Sequence, residues 1–217
     1  MKISEINKGV SDYINSIRYG KNSFGTKTWK VSKKITIDYK NVLPAPPDNT
    51  STTTKKEIAY LSKLTKNLTK KQINFVHLVD EDPLNVFLPL LRMYNIPKEP
   101  AMKEINSIWN LCVPVIMNLK WIHNRARPHQ IAEYLGHNIN VIETKTHKTP
   151  SYPSGHTALA AIGSYYLSDK HPKLSSEFFA AGSSAGLARE LQGVHYPSDS
   201  EASMVIAGAL WQDIKYQ

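Results

Sequence analysis

The sequence predicts an all-α, single-domain helical bundle. Three observations carry that reading. Apolar residues recur three and four apart in most segments, the period of a helix with one buried face. Serine, threonine or aspartate stands ahead of several of these segments in N-cap position, and proline or asparagine closes others. Stripes of alanine and glycine between residues 157 and 191 suit helices that approach one another closely. Alternation of period two is confined to one short stretch, and one strand makes no sheet.

In chain order, Ile3, Ile6, Val10, Ile14 and Ile17 place an amphipathic helix over residues 3–18, expected to pack or to meet a partner. Gly20 to Gly25 reads as a break. Trp29, Val31, Ile35, Ile37 and Tyr39 then alternate with polar residues, which predicts an extended segment lying on the core. The prolines of Leu43-Pro44-Ala45-Pro46-Pro47 remove donors and restrict the residues before them, so this stretch is a stiff connector. Ile58, Leu61, Leu64 and Leu68 predict a helix from Lys55 to Leu68. Thr69-Lys70-Lys71-Gln72 has the form of a capping box and starts the next. Asp82-Pro83 is an N-cap followed by proline at the first helical position, opening a helix to Tyr94 that Asn95 and Pro97 stop.

The longest helix is predicted from Ala101 to Asn124, with Ile105, Ile108, Trp109, Cys112, Val115, Ile116 and Leu119 as its buried stripe. Pro114 is expected to bend it or free a carbonyl. Residues 129–150 read as a loop-rich excursion. Helices follow over 157–167, broken by His171-Pro172, and over 175–191. Gly193 turns the chain, and a last helix starts at Ser198 or Asp199.

A chain of 217 residues buries one good core. Its 27 Lys and Arg against 18 Asp and Glu give a net charge of +9, which favours acidic partners, although solvated lysines such as Lys66, Lys70 and Lys71 account for much of it. No helix-turn-helix, zinc or RNA-reading signature accompanies the charge, so no specific nucleic-acid partner is expected. Cys112 is the only cysteine and sits in an apolar run, so it reads as a core thiol with no intrachain disulfide. His123, His129, His137 and His147 match no metal-ligand spacing, and no metal is expected. The apolar runs Val86 to Leu91 and Met204 to Leu210 are far shorter than the ~20 residues of a spanning helix, so no transmembrane segment is expected. Met1-Lys2-Ile3-Ser4-Glu5 is followed by no apolar leader. The expectation is a soluble protein, cytoplasmic rather than periplasmic, with homo-oligomerisation left open.

Three stretches carry chemistry. Arg189, His195 and Asp199 lie at offsets of six and four, which puts an imidazole beside a carboxylate and a guanidinium nearby. Alone, that set is no more than a surface ion-pair cluster. Pro153-Ser154-Gly155-His156-Thr157 adds a hydroxyl, a glycine N–H and a second histidine at a helix start, where the dipole favours an anion. Lys120 and Arg127 lie seven apart and would share a face if the helix continued that far. Lys120 has the alternative of snorkelling to solvent, and His123 and Arg125 read as rim or solvated cations. Lys120, Arg127, Arg189, Ser154, Gly155, His156 and His195 together suit a tetrahedral oxyanion.

K-x6-RP at Lys120 to Pro128, PSGH at Pro153 to His156 and R-x5-H-x3-D at Arg189 to Asp199 resemble the three-part signature of the phosphatidic acid phosphatase type 2 and vanadium haloperoxidase superfamily. With the proline-rich lead-in, the chain is most similar to the bacterial class A non-specific acid phosphatases. The resemblance implies a metal-independent phosphatase that hydrolyses phosphate monoesters through a phosphohistidine. His195 would be the nucleophile, Asp199 its orienter and His156 the acid and base. Lys120, Arg127, Ser154, Gly155 and Arg189 would hold the phosphate of a small substrate. No cofactor is implied for that activity, and vanadate is expected as an inhibitor.

The alternatives are a vanadate-dependent haloperoxidase, a group of far larger chains in which vanadate is the cofactor, and a non-catalytic anion-binding module. The expected division is residues 1–42, a helix and extended segment packing on the core, and 43–217, the helical catalytic domain. The chain departs from the pattern at Ala188, where serine is usual, at His129-Gln130, where an aromatic is usual, and at Gln192, where secreted members carry cysteine.

Overall fold

The computed structural model describes residues 3–20 and 28–216, so the expected break lies, from residue 21 on, outside them. Among the described residues the chain forms nine α-helices and no strand: α1 (Ile3–Ser16), α2 (Thr52–Leu64), α3 (Lys70–Glu81), α4 (Leu88–Met93), α5 (Lys98–His123), α6 (Pro128–Ile131), α7 (Gly155–Lys170), α8 (Ser175–Leu191) and α9 (Pro197–Lys215). The all-α architecture is as the periodicity predicts.

Local chemistry explains where the bounds move. The first predicted helix ends two residues early, at Ser16. α2 begins at Thr52 rather than Lys55, because the Ser51 side chain accepts from Thr54 N and caps it. It ends at Leu64, short of Leu68. The Thr69 capping box forms as predicted: Thr69 Oγ1 accepts from Gln72 N at 3.3 Å and Gln72 Oε1 accepts from Thr69 N at 2.8 Å. The helix expected over Pro83 to Tyr94 divides into a 3-10 turn, Pro83–Phe87, and α4. α5 runs unbroken through Pro114 and stops at His123, where Asn124 turns left-handed at φ 43°.

The stretch from Trp29 to Tyr39 pairs with no strand and is not extended throughout as expected: Ile35 N donates to Ser32 O at 3.0 Å around a turn, and Tyr39 opens a 3-10 turn. Side chains satisfy part of its backbone instead: Asn118 of α5 accepts from Trp29 N at 2.8 Å and donates to Trp29 O at 2.9 Å, and Asp213 of α9 accepts from Thr36 N at 2.7 Å. Its alternate residues Val31, Ile35, Ile37 and Tyr39 lie against the main core.

α7 is the centre of the bundle, packed chiefly on α8 and α9 and touching α5 and the Pro83–Phe87 turn. Small residues permit this. A Cβ at Gly182 of α8 would lie 2.0 Å from Ser164 Oγ of α7, and that hydroxyl donates across the contact to Phe178 O at 2.9 Å. Leu119, Ile162, Leu167, Phe178, Ile206 and Leu210 are fully buried in this core; each such side chain contributes about 1.5–3 kcal/mol by leaving water. A second, smaller cluster joins Ile58 and Leu61 of α2 to Ala126, Ile131, Ile139 and Tyr196. It fixes α2 against the chain that flanks Arg127 and His195.

Candidate active site

The ends of four helices meet at one cavity of about 350 Å³, whose lining includes Lys120, Arg127, Gly155, His156, Arg189 and His195. Lys120 comes from the last turn of α5, Gly155 and His156 from the first turn of α7, and Arg189 from the last turn of α8. His195 stands just before α9, and Asp199 lies in that helix's first turn. Lys120 and Arg127 do not share a helix face as expected, because α5 ends between them. Arg127 instead precedes Pro128 at the start of α6, and the Asn124 turn brings it back beside Lys120.

Gly193 makes the other necessary turn. Its φ is +80°, and a Cβ there would meet Ile139 Cγ2 at 2.7 Å, so both the conformation and the space demand glycine.

Backbone carbonyls of the 129–150 excursion and of the third motif aim the cations. Lys120 Nζ donates to Pro150 O at 2.6 Å, and Arg127 donates through Nε to Thr149 O at 2.9 Å and through NH1 to Val194 O at 2.8 Å. All three cations are buried, at 4% exposure for Lys120, 2% for Arg127 and 1% for Arg189. Burial, and then the neighbouring Arg127, push the Lys120 amine well below its ordinary value, with Asp199 pulling the other way. Burial and Arg189 bring Arg127 down to about 10, so it stays a cation at neutral pH. An oxyanion placed among these groups relieves their mutual repulsion.

His195 is held in one tautomer. Arg127 NH1 lies 3.2 Å from its Nε2, and a guanidinium can only donate, so Nε2 carries a lone pair. The proton is therefore on Nδ1, which donates to Asp199 Oδ2 at 3.0 Å. Burial first, then Arg127, hold His195 far below the usual imidazole range, so it is neutral. Asp199 is fully buried, and burial alone would raise it; Arg125 and His195 outweigh that and hold it below the carboxylate range. His156 is pushed down to about 3, mainly by burial and then by Arg189. The site thus offers a bare nitrogen, a second imidazole and three cations facing one space.

Ser154 does not line the cavity. Its hydroxyl accepts from Thr157 N at 3.4 Å and from Thr157 Oγ1 at 3.0 Å, which makes it the N-cap of α7. Gly155 does line it, and a Cβ there would meet nothing closer than Lys120 Cε at 3.9 Å.

Sequence reasoning missed three side chains at the site. Arg125 is neither a rim nor a solvated cation: it is 3% exposed and donates to Asp199 Oδ1 at 2.6 Å. Its partner on the other side is Glu57 of α2, at 3.3 Å from NH2. Asp80 of α3 accepts from Arg189 NH1 at 2.6 Å and lies 4.0 Å from His156 Nε2. Burial works to raise Asp80, but bonds from Thr146, Arg189 and Thr144 outweigh it and hold the carboxyl below its ordinary value. Only the R-x-R spacing of Arg125 and Arg127 could have flagged one of the three. Glu57 and Asp80 stand in ordinary amphipathic helices, forty residues or more upstream of the first motif.

The departures from the motif pattern also find places. Ala188 is fully buried in the main core. Gln192 donates to Ile142 O at 3.1 Å and Thr144 Oγ1 at 2.9 Å, which pins the excursion whose Thr144 and Thr146 hold Asp80. His129 is half-buried, its ring edge-on to His147 at 6.5 Å between centroids. Among the described residues no group of three or more His, Cys, Asp and Glu could hold a metal ion, and no helix is long and apolar enough to cross a membrane. Burial pushes the Cys112 thiol up to about 12.

A family model described as the PAP2 superfamily matches residues 107–216, just over half of the chain. The non-specific acid phosphatase of Providencia stuartii is 34% identical over 65 residues, 30% of this chain and 26% of that protein, so the match spans little more than a quarter of the relative's length. Among solved structures, a bacterial vanadium-dependent iodoperoxidase superposes with a TM-score of 0.60 at 16% identity, covering 83% of this chain and 54% of that one. At that identity the likeness is one of fold. A transmembrane PAP2-type phosphatidylglycerolphosphate phosphatase from Bacillus subtilis gives a TM-score of 0.49 at 18% identity, covering 77% of this chain and 87% of that one.

Proposed function

Since this chain belongs to the PAP2 superfamily, whose activities are those of phosphatases and haloperoxidases, we propose that it hydrolyses phosphate monoesters through a phosphohistidine. The observation that carries this reading is His195, its Nδ1 3.0 Å from Asp199 Oδ2, lining one cavity with the buried Lys120, Arg127 and Arg189. His195 attacks phosphorus as the ester P–O bond breaks, forming a P–N bond, and His156 gives its proton to the departing oxygen. Asp199 stabilises the imidazolium character that develops on His195. Water then attacks the phosphohistidine, loses a proton to His156 and breaks the P–N bond, releasing inorganic phosphate. Lys120, Arg127, Arg189 and the Gly155 N–H stabilise the equatorial oxygens, where most of the rate arises.

Burial and Arg189 disfavour a proton on His156, so in this reading the proton arrives with the substrate: a phosphate monoanion brings one. The match to a non-specific acid phosphatase supports the same activity over the stretch it covers.

Vanadate suits the same donors. Lys120, Arg127 and Arg189 would hold its oxygens and His195 would ligate it, since it mimics the phosphoryl transition state. Bound there, it supplies activation of peroxide toward halide in a haloperoxidase.

The test is steady-state hydrolysis of p-nitrophenyl phosphate from acid to neutral pH with chelator present, for the natural protein and for His195→Ala. Hydrolysis that survives chelation, is blocked by vanadate and disappears in the variant is the expected result. Peroxide-dependent iodide oxidation in added vanadate, with no ester hydrolysis, would transfer the reading to the haloperoxidases.

A further inference from the structure

We propose that Glu57 is a positioning residue for the reaction, acting through Arg125 on the Asp199–His195 pair. This rests on the reading of His195 as the nucleophile. The links are continuous. Asp199 Oδ2 accepts from His195 Nδ1 at 3.0 Å and from Tyr196 N at 3.1 Å, and Asp199 Oδ1 accepts from Arg125 NH1 at 2.6 Å. Arg125 NH2 donates to Glu57 Oε2 at 3.3 Å, and its guanidinium lies over the Tyr196 ring, 3.7 Å from the centroid. Glu57 also accepts from Ser198 N at 2.6 Å and from Ser198 Oγ at 3.0 Å, so a carboxylate of α2 sits at the N-terminus of α9, where the helix dipole favours it.

The charges of this row alternate: the Arg125 guanidinium lies between the carboxylates of Asp199 and Glu57, and the neutral His195 imidazole donates to Asp199. Arg125 therefore divides its charge between Asp199 and Glu57. Without Glu57, a buried cation would have Asp199 as its sole ionic partner and would draw on the carboxylate that must answer the charge growing on His195. Glu57 lies well outside the matched residues 107–216, so the amino-terminal part of the chain contributes to the chemistry at its motifs. Burial raises the Glu57 carboxyl, and Arg125 and the Ser198 bonds pull the other way, so the carboxylate depends on those partners for its charge.

Glu57 is not among the residues that line the cavity, so its loss is expected in kcat and not in substrate binding. Its helix is held independently by Ile58 and Leu61, both fully buried, so the exchange to glutamine leaves α2 in place. In steady-state hydrolysis of p-nitrophenyl phosphate, Glu57→Gln should lower kcat about tenfold with KM within about twofold, and Glu57→Asp should recover most of the loss. Glutamine keeps an acceptor for Ser198 N, so a residue that merely docked α2 on α9 would leave kcat unchanged. That result, or a rise in KM alone, would overturn the proposal. Should Glu57→Gln fail to fold, Arg125→Lys replaces it: a lysine cannot bridge both carboxylates, and kcat at the natural level would equally overturn the role. His195→Ala is assayed in parallel. Hydrolysis persisting there overturns the nucleophile assignment and the proposal with it, whereas its loss there beside an unchanged Glu57→Gln overturns the role of Glu57 alone.

Discussion

Arg127 NH1 lies 3.2 Å from His195 Nε2, so the guanidinium that would hold a phosphoryl oxygen also holds the nitrogen proposed to attack in its unprotonated form. The same NH1 donates to Val194 O, one residue before the histidine. Arg127 therefore braces the third motif and also lines the cavity where the proposed phosphate would sit. Replacing it with alanine should lower kcat/KM for p-nitrophenyl phosphate by about 10²–10³, the scale of losing one preorganised oxyanion donor. Lysine should restore little, because one ammonium cannot reach Thr149 O, Val194 O and His195 together. Steady-state kinetics beside thermal melts separate the kinetic loss from the structural one; an Arg127→Lys protein of natural activity contradicts the assignment.

Stability should fall on acidification from near neutral pH, the depressed histidines outweighing the opposite contribution of the raised carboxyls of Glu190 and Glu57. His195 and His156 both bind protons less readily folded than unfolded, so below about pH 6.5 the unfolded chain takes up protons that the folded one refuses. Each contributes a slope of up to about 1.4 kcal/mol per pH unit until its folded value is reached. Asp199 and Asp80 are held below the ordinary carboxylate value, so their contribution is complete above about pH 4 and is lost as pH falls through their folded values. Melting temperatures from pH 8 to pH 4 should decline, and His156→Asn should flatten the decline. A melting temperature independent of pH over that range would contradict the histidine part.

Gly155→Ala should fold and fail to turn over. The nearest atom to the added methyl is Lys120 Cε at 3.9 Å, an ordinary contact, so the melting temperature should stay within about 2 °C. The methyl occupies cavity space beside the N–H proposed for a phosphoryl oxygen, and kcat/KM should drop at least about tenfold. Ser154→Ala is the control at the adjacent position. It should cost about 1 kcal/mol of stability by uncapping α7, read in denaturant melts.

Asp80→Asn should move KM and kcat in the same direction. Asp80 neutralises part of Arg189 and favours the protonated form of His156. Removing its charge makes the cradle more positive, lowering KM and the vanadate inhibition constant by about threefold. It also removes support for the proton on His156, lowering kcat about tenfold. A higher KM with unchanged kcat would mean that Asp80 serves to aim Arg189 and nothing more.

The order of helices, the capping box at Thr69 and the three motifs were legible in the sequence because each depends on residues no more than about seven apart. Period and cap chemistry are local, and so are motif offsets such as the four residues from His195 to Asp199, which the turn into α9 closes to 3.0 Å. Tertiary structure alone decided how the cations converge. α5 ends at Asn124 between Lys120 and Arg127, so their common direction comes from a left-handed turn and the carbonyls of Thr149 and Pro150, not from helix phase. It also decided which charges are paired. Arg125 finds Asp199 and Glu57, and Arg189 finds Asp80, across 74, 68 and 109 residues. A buried charge needs a partner because low polarity penalises an unpaired ion, but the chain supplies that partner from whichever helix the packing brings near. Sequence spacing carries no record of that choice.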